Sequence, residues 1–230
     1  MKILVADDDE ALLEVMTYAL LRQGYLVLRA TTGEQALRCW QLNEPSIVIL
    51  DSAIPDPLGL EVCRHIRTTS TVPIVVTSDN ASEREIIRAL EAGADEYMVK
   101  PFSPRQLSLR IESLARRMRP ELTNDFGGTI SVGGLVIDPQ SWSVVKKDDG
   151  QAWGIRLTRL EFRILYCLAA NAGKVVVTDK LADFAWQGIG EGDPALLKSH
   201  ISRVRSKLGI SSNEAGFIRS IPGVGYTLTI

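Results

Sequence analysis

Polar residues able to do chemistry recur at the ends of short apolar runs in the first half of the chain. Asp7, Asp8 and Asp9 follow Ile3 to Ala6, Asp51 follows Ile47 to Leu50, Thr77 closes the run that starts at Ile74, and Lys100 with Pro101 follows Tyr97 to Val99. If each run is a strand of one parallel sheet, these side chains gather in the crevice outside the carboxyl ends of the strands. Carboxylates brought that close repel one another unless a cation intervenes, and an all-oxygen cluster with room for water suits Mg2+. An aspartate held beside such an ion can act as a carboxylate nucleophile toward a phosphoryl group, with a hydroxyl and an ammonium stabilising charge on the equatorial oxygens. Each residue also has a plainer reading. Asp7 to Glu10 would cap a helix, Asp51 would be a turn residue, Thr77 an ordinary strand residue and Lys100 a surface cation. Their common position at one sheet edge favours the chemical reading.

A second set lies near the C-terminus. In the segment DPALLKSHISRVRSKLG, Leu197, Ile201, Val204 and Leu208 recur every three or four positions and predict the buried stripe of a helix. Lys198, Ser202, Arg203, Arg205 and Lys207 are left for the outer face. Arginine suits guanine edges and phosphates, and lysine suits phosphates. With Arg219, these cations are opposed over the stretch only by Glu214, although a solvated helix face would read the same on charge alone.

The elements that must position these residues follow from periodicity. Runs at Ile3 to Ala6, Leu26 to Arg29, Ile47 to Leu50, Ile74 to Thr77 and Tyr97 to Val99 alternate with helix-period segments, the last being Pro104 to Met118. This predicts an α/β fold: a doubly wound, five-stranded parallel sheet. Arg116 to Gly128 has no sustained apolar period and reads as a linker. Beyond it, β-rich stretches (Ile130 to Ile137, Trp142 to Lys146, Ile155 to Leu157) precede three helical stretches. Phe217 to Ile230, with Gly223 and Gly225 between apolar residues, reads as a hairpin. Three helices followed by a hairpin predict a smaller α+β winged-helix domain.

Composition narrows the class. The 230 residues are 45% hydrophobic and 23% charged, so a disordered or collagenous chain is excluded and two domains are expected. No apolar run approaches the roughly 18 residues of a membrane span, and the N-terminus has no signal-peptide pattern, so no membrane attachment is expected. Cys39, Cys63 and Cys167 are odd in number and sit among apolar neighbours, which reads as reduced core thiols in a cytoplasmic protein. With only His65 and His200, a multi-histidine metal centre is not expected.

Two resemblances cover nearly the whole chain. ILVADDDEALL, IVILDSAIPDPLGLEVCRHIR around Asp51, PIVVTS through Thr77 and ADEYMVKPF through Lys100 resemble the receiver domain of two-component response regulators, over residues 1–118. After a linker at 119–127, residues 128–230 resemble the OmpR/PhoB-type winged-helix DNA-binding domain, through LTRLEFRILYCLAANAGKVVVTDKLADFAW, HISRVRSKLG and IRSIPGVGYTL. The first resemblance implies Asp51 as phosphoacceptor, and Asp7, Asp8, Asp51 and the carbonyl of Ala53 as Mg2+ ligands. It also implies Lys100 as a phosphoryl-binding cation, Thr77 and Tyr97 as the switch pair, and a cis bond between Lys100 and Pro101. Glu96 and Arg110 fall where such proteins pair across a dimer face. The second resemblance implies a recognition helix over Asp193 to Leu208, with Arg203 reading a base, Ser202, Arg205, Lys198 and His200 near the groove, and Arg205 and Lys207 nearer phosphate. Trp186 and Tyr226 are expected near phosphate, and Arg219 is the wing cation left to reach the minor groove. The chain departs from the family pattern at Ala195 and Leu196, where Arg and Thr are common, at Pro222, where the wing often carries an arginine, and at Asp79.

The reading that follows is a cytoplasmic regulator, not an enzyme beyond weak autodephosphorylation. A sensor histidine kinase would phosphorylate it on Asp51, after which it would form a homodimer and bind double-stranded promoter DNA, with RNA polymerase as a further candidate partner. Two rivals differ in class. A Mg2+-dependent phosphatase of the haloacid dehalogenase type needs an acid two residues after its nucleophile, where this chain has Ala53. A phosphorylation-independent DNA-binding regulator, constitutive or acting through protein partners, is the alternative that Ala195, Leu196 and Pro222 suggest.

Overall fold

The computed structural model describes residues 1–117, 126–148, 150–186, 194–209 and 217–229. The chain divides into two compact units, Met1–Ala115 and Arg116–Ile230.

The first unit alternates strands and helices: β1 (Lys2–Ala6), α1 (Glu10–Leu21), β2 (Leu26–Ala30), α2 (Gly33–Asn43), β3 (Ile47–Asp51), α3 (Gly59–Thr69), β4 (Ile74–Ser78), α4 (Glu83–Ala92), β5 (Glu96–Val99) and α5 (Pro104–Arg117). All five strands are parallel, in the order β2-β1-β3-β4-β5, a doubly wound sheet in the flavodoxin-like arrangement. β3 and β4 are buried along their whole length, which explains their unbroken apolar runs: helices cover both faces. Register then fixes the polar ends. Asp51 pairs with Thr77 across β3 and β4, and Thr77 with Met98 across β4 and β5. Asp9 alone of the N-terminal acids caps α1, accepting from Leu12 N at 3.1 Å. The capping reading therefore holds for Asp9 and leaves Asp7 and Asp8 available for another role. Gly59 begins α3 hard against the end of β3, where a Cβ would lie 1.9 Å from the Asp51 carbonyl oxygen. Only glycine lets α3 start that close to the loop carrying Asp51.

The second unit opens with an antiparallel sheet of β6 (Ile130–Val132), β7 (Leu135–Asp138), β8 (Ser143–Asp148) and β9 (Gln151–Ile155). It continues through α6 (Arg159–Ala170), β10 (Val175–Val177), α7 (Thr178–Trp186) and α8 (Pro194–Lys207), and closes with β11 (Ile218–Ile221) and β12 (Gly225–Leu228). β10 adds to the terminal hairpin in the order β10-β12-β11, giving helices followed by a winged sheet. Every residue of α6 from Leu160 to Ala169 is buried, so this helix is a core element without a solvent stripe.

Two boundaries differ from the sequence expectation. Phe126, assigned to the linker, is buried and packs edge-on against Trp142, Phe162, Tyr166 and Phe184, because an aromatic side chain outweighs its polar surroundings in deciding burial. Residues 119–125 of that linker lie outside the described residues. The strand expected at Ile155 to Leu157 instead runs from Gln151 to Ile155. Its residues are exposed from Gln151 to Gly154 and give no apolar signal.

Candidate functional site

The strand ends bring the sequence-predicted acids together. Asp7 and Asp51 are buried, Asp8 is exposed, and one carboxylate oxygen from each lies within 4.8 Å of the others. Lys100 reaches into this group from the loop after β5: its Nζ is 2.8 Å from Asp7 Oδ2 and 3.0 Å from Asp51 Oδ1. The Lys100-Pro101 bond is cis, and Lys100 N donates to the Ser78 carbonyl at 2.8 Å. Asp51 Oδ2 accepts the backbone N–H of Ala53 at 3.1 Å, and Asp7 Oδ1 that of Asp9 at 3.1 Å. A second cis bond, Asp56-Pro57, lies in the loop between β3 and α3.

Charge explains the titration of the site. Burial pushes the Asp51 carboxyl above its ordinary range and the Asp7 charge adds to this, while Lys100 and the Ala53 N–H pull the other way. Burial alone would lower Lys100, but its hydrogen bonds to Asp7 and Asp51 outweigh that and hold it above the usual lysine range. The three carboxyl groups with Lys100 beside them make an all-oxygen donor set that fits a hard divalent cation.

The two residues expected to form the switch pair flank this cluster. Thr77 is fully buried and its Oγ1 has no hydrogen-bond partner among the described residues. Tyr97 is half-buried, and its hydroxyl donates to the Asn80 carbonyl at 2.6 Å. Burial pushes its phenol above the ordinary range. Glu96 and Arg110, expected to pair between protomers, face each other within the chain at 3.4 Å, with Glu96 buried. The pair joins β5, which carries Glu96, to α5, which carries Arg110.

In the second unit the basic helix is sorted differently from the expectation. Lys198 and Ser202 are exposed and Arg205 is half-exposed, one face at intervals of four and three. Arg205 Nε donates to the Ile218 carbonyl and Nη2 to Ser220 Oγ, both at 3.0 Å, tying α8 to the hairpin. Thr178 at the start of α7 donates from N and Oγ1 to the Val224 carbonyl, at 3.1 and 3.3 Å. Between these elements lies a polar recess of about 530 Å³, lined by Lys198, Ser202, Arg205, Ser220 and Tyr226. Burial raises the Tyr226 phenol above its ordinary range, and the Arg205 charge partly offsets this. Arg219 is exposed on β11, and Pro222 at the hairpin turn is exposed too.

Four residues expected to meet DNA make contacts within the second unit instead. Trp186 and His200 are fully buried and pack edge to face at 5.7 Å. Arg203 lies against the His200 ring, and its Nε is 3.5 Å from Glu161 Oε1. Lys207 Nζ is 2.7 Å from Glu161 Oε2. The physical reason is Glu161: a fully buried carboxylate must be paired, and the two cations of α8 on that side pair it. Leu196 is buried as well, so this position faces the core. The Ala195 side chain and Glu214 lie outside the described residues.

Sequence reasoning missed Glu161, Ser220, Thr178 and the hydroxyl pair Ser52 and Ser78. Glu161 carried a usable signal, since Thr158 three residues before it forms a capping box with it, present in full. The serines carried none.

Comparison with known proteins accords with this geometry. Residues 3–112 match the family described as response regulator receiver domain, and residues 150–228 match transcriptional regulatory protein, C terminal. The chain is 34% identical over 234 residues to the alkaline phosphatase synthesis transcriptional regulatory protein PhoP of Bacillus subtilis, covering 99% of this chain and 96% of that protein. It is 36% identical over 230 residues to the probable transcriptional regulator ycf27 of Cyanophora paradoxa, covering 98% and 95%. Among solved structures, the response regulator DrrB of Thermotoga maritima, an OmpR/PhoB homologue, is similar at 32% identity, with a TM-score of 0.52 and coverage of 100% and 99%.

Proposed function

Because this chain belongs to the OmpR/PhoB-type response regulators, two-component transcription regulators that join a receiver to a DNA-binding domain, we propose that Asp51 is its phosphoacceptor and that phosphorylation there controls promoter binding. The observation that carries this reading is the contact of Lys100 with both Asp7 and Asp51 at the strand ends. A carboxylate oxygen of Asp51 attacks phosphorus on the phosphohistidine of a sensor kinase. The new bond is P–O, the bond broken is P–N, and the imidazole leaves with a proton from solvent. Lys100 is placed to meet the equatorial oxygens, and the Ala53 N–H to orient the nucleophile.

Asp7, Asp8, Asp51 and the Ala53 carbonyl would hold Mg2+. When bound, the ion neutralises negative charge on the carboxylates and on the phosphoryl oxygens. After transfer, the three acceptor oxygens on Asp51 draw the Thr77 hydroxyl toward them. Dimerisation through the surface of α4, β5 and α5 would then place two winged-helix units on one DNA site. Weak autodephosphorylation would reset the switch. A cytoplasmic location fits these partners; no described helix is long and apolar enough to cross a membrane. Contact with RNA polymerase would couple binding to transcription.

For DNA, the face made by Lys198, Ser202 and Arg205 with Ser220, Arg219 and Tyr226 is the binding surface. Lys198 and Ser202 lie toward the bases and Arg205 toward phosphate. The test of the whole reading is a phosphate-affinity gel and a DNA-binding isotherm on the same samples, treated with acetyl phosphate and Mg2+. Wild type should show a retarded band and tighter promoter binding, and Asp51→Ala neither. Tighter binding without any retarded band would favour the phosphorylation-independent alternative.

A further inference from the structure

At the end of β4, one hydroxyl is saturated. Ser78 is buried, and its Oγ accepts from Ser52 Oγ at 2.9 Å and from Asn80 N at 3.2 Å. A serine oxygen has two lone pairs and one proton, so both acceptor positions are filled and the proton is directed elsewhere. The Tyr97 hydroxyl gives its proton to the Asn80 carbonyl at 2.6 Å, so Asn80 joins Tyr97 to Ser78. Three bonds link four residues: Ser52 and Asn80 donate to Ser78, and Tyr97 donates to Asn80.

The network touches the phosphoacceptor loop on one side and a helix on the other. Ser52 directly follows Asp51, and its N–H donates to the Thr77 carbonyl at 2.8 Å. Asn80 Oδ1 accepts from Ser82 N at 2.9 Å, and Ser82 caps α4.

We propose that Ser78 is the positioning residue that couples the Asp51 loop to Tyr97 and to the N-terminus of α4. The proposal rests on Asp51 being the phosphoacceptor. Thr77 Oγ1 is the buried hydroxyl without a partner beside that loop, so a phosphoryl group on Asp51 gives it an acceptor. Ser78 is the next residue in the chain and moves with Thr77. Both acceptor positions of its oxygen are taken, so any such movement must break or carry along the bonds to Ser52 and Asn80, and Tyr97 is bonded to Asn80 in turn. A local electrostatic change at Asp51 is thereby turned into a changed setting of Tyr97 and of the α4 cap. An apolar residue at 78 would let Thr77 move alone.

The test uses the full chain labelled with 3-fluorotyrosine, with the Tyr97 resonance assigned by Tyr97→Phe. Fluorine spectra of wild type, Ser78→Ala, Ser78→Thr and Ser52→Ala are recorded with and without acetyl phosphate and Mg2+, and phosphorylation of each sample is read on a phosphate-affinity gel. In wild type the Tyr97 resonance should shift on phosphorylation. In Ser78→Ala it should already be displaced without phosphate and lose most of the further shift, Ser52→Ala should lose part of it, and Ser78→Thr, which keeps the hydroxyl, should restore it. A Ser78→Ala chain that accepts phosphate and shifts Tyr97 as wild type does overturns the proposal. So does one that takes no phosphate, which would put Ser78 in the chemistry. If Ser78→Ala does not fold, an unaltered Tyr97 response in Ser52→Ala overturns it. Should wild type itself take no phosphate, the Asp51 reading fails, while the unphosphorylated spectra of wild type and Ser78→Ala still decide whether Ser78 sets Tyr97.

Discussion

Lys207 Nζ lies 2.7 Å from Glu161 Oε2, so a cation that charge alone would assign to DNA is bound to a buried carboxylate of α6. A lysine already neutralised within the protein releases few additional counterions from DNA. Lys207→Gln should therefore leave the salt dependence of DNA binding nearly unchanged, whereas losing a true phosphate contact lowers the slope by about 0.9. Glu161→Ala removes the capping-box carboxylate and leaves Arg203 and Lys207 unpaired. It should destabilise the second unit by about 1 to 3 kcal/mol, measured by urea unfolding. A slope that falls by a full unit in Lys207→Gln would return this residue to the DNA face.

Phosphorylation should be confined to Asp51. Label from a small phosphodonor should be acid-labile and hydroxylamine-labile in wild type and absent in Asp51→Ala. Asp8→Asn should lose both the label and its Mg2+ dependence, because the exposed acid is the part of the cluster a cation reaches from solvent. Persistent label in Asp51→Ala would move the acceptor elsewhere.

The receiver was legible almost to the residue. β3 and β4 are buried on both faces and so read as continuous apolar runs, and a parallel sheet puts Asp7, Asp8, Asp51 and Lys100 at one edge. The three helical stretches of the second unit were legible too. β10 was not: Val175–Val177 is three residues long, and only its antiparallel pairing with β12 makes it a strand. The larger miss was the orientation of α8. The stripe of Leu197, Ile201, Val204 and Leu208 located the buried side correctly, yet Arg203 and Lys207 flank that stripe, and periodicity treats flanking cations as outward. Glu161 draws them in, and a single buried acid at a distance of about forty residues leaves no trace in a local pattern.

The Glu96 and Arg110 pair bears on assembly. Within one chain Arg110 Nη1 is 3.4 Å from Glu96 Oε2 and remains about one-third exposed, so it can contact a second copy without abandoning its partner. Sedimentation of wild type with and without phosphodonor should show a phosphate-dependent dimer, and Arg110→Glu should weaken it by placing two acids together on that face. Equal dimerisation of both would assign the interface to another surface.

Cys167 offers a check on burial in α6 that does not depend on function. Burial pushes its thiol up to about 11 from an ordinary 9.0. Since the folded value is the higher one, the stability linked to the neutral thiol is complete below pH 9 and is lost as pH rises through about 11. The thiolate is the reactive form, so native Cys167 should resist iodoacetamide at pH 8 while half-exposed Cys39 is alkylated. Mass mapping of alkylated peptides reads this directly, and rapid labelling of Cys167 in the folded chain would contradict its packing.

On the DNA face, the structure divides the basic residues into those held inside the protein and those free to reach out. Arg205 is fixed to the hairpin through Ile218 and Ser220 but keeps part of its surface in the recess, so its loss should weaken matched and scrambled DNA alike and flatten the salt dependence by about 0.9. Lys198 is exposed on the same face with no such tether and is assigned to bases. Lys198→Ala should therefore reduce discrimination by about 1 to 3 kcal/mol and affect the matched site most. Arg203 packs on Glu161 and His200 rather than outward, so Arg203→Ala should lower both affinities through the setting of α8, without changing the salt slope. Pro222 at the exposed turn adds the opposite test. Pro222→Arg supplies a cation to the wing and should raise affinity, most for A·T-rich flanks whose narrow minor groove carries the stronger negative potential. Binding isotherms at two salt concentrations on matched and scrambled sites separate these outcomes. Loss confined to the matched site in Arg203→Ala, with Lys198→Ala reducing both sites equally, would exchange the two assignments.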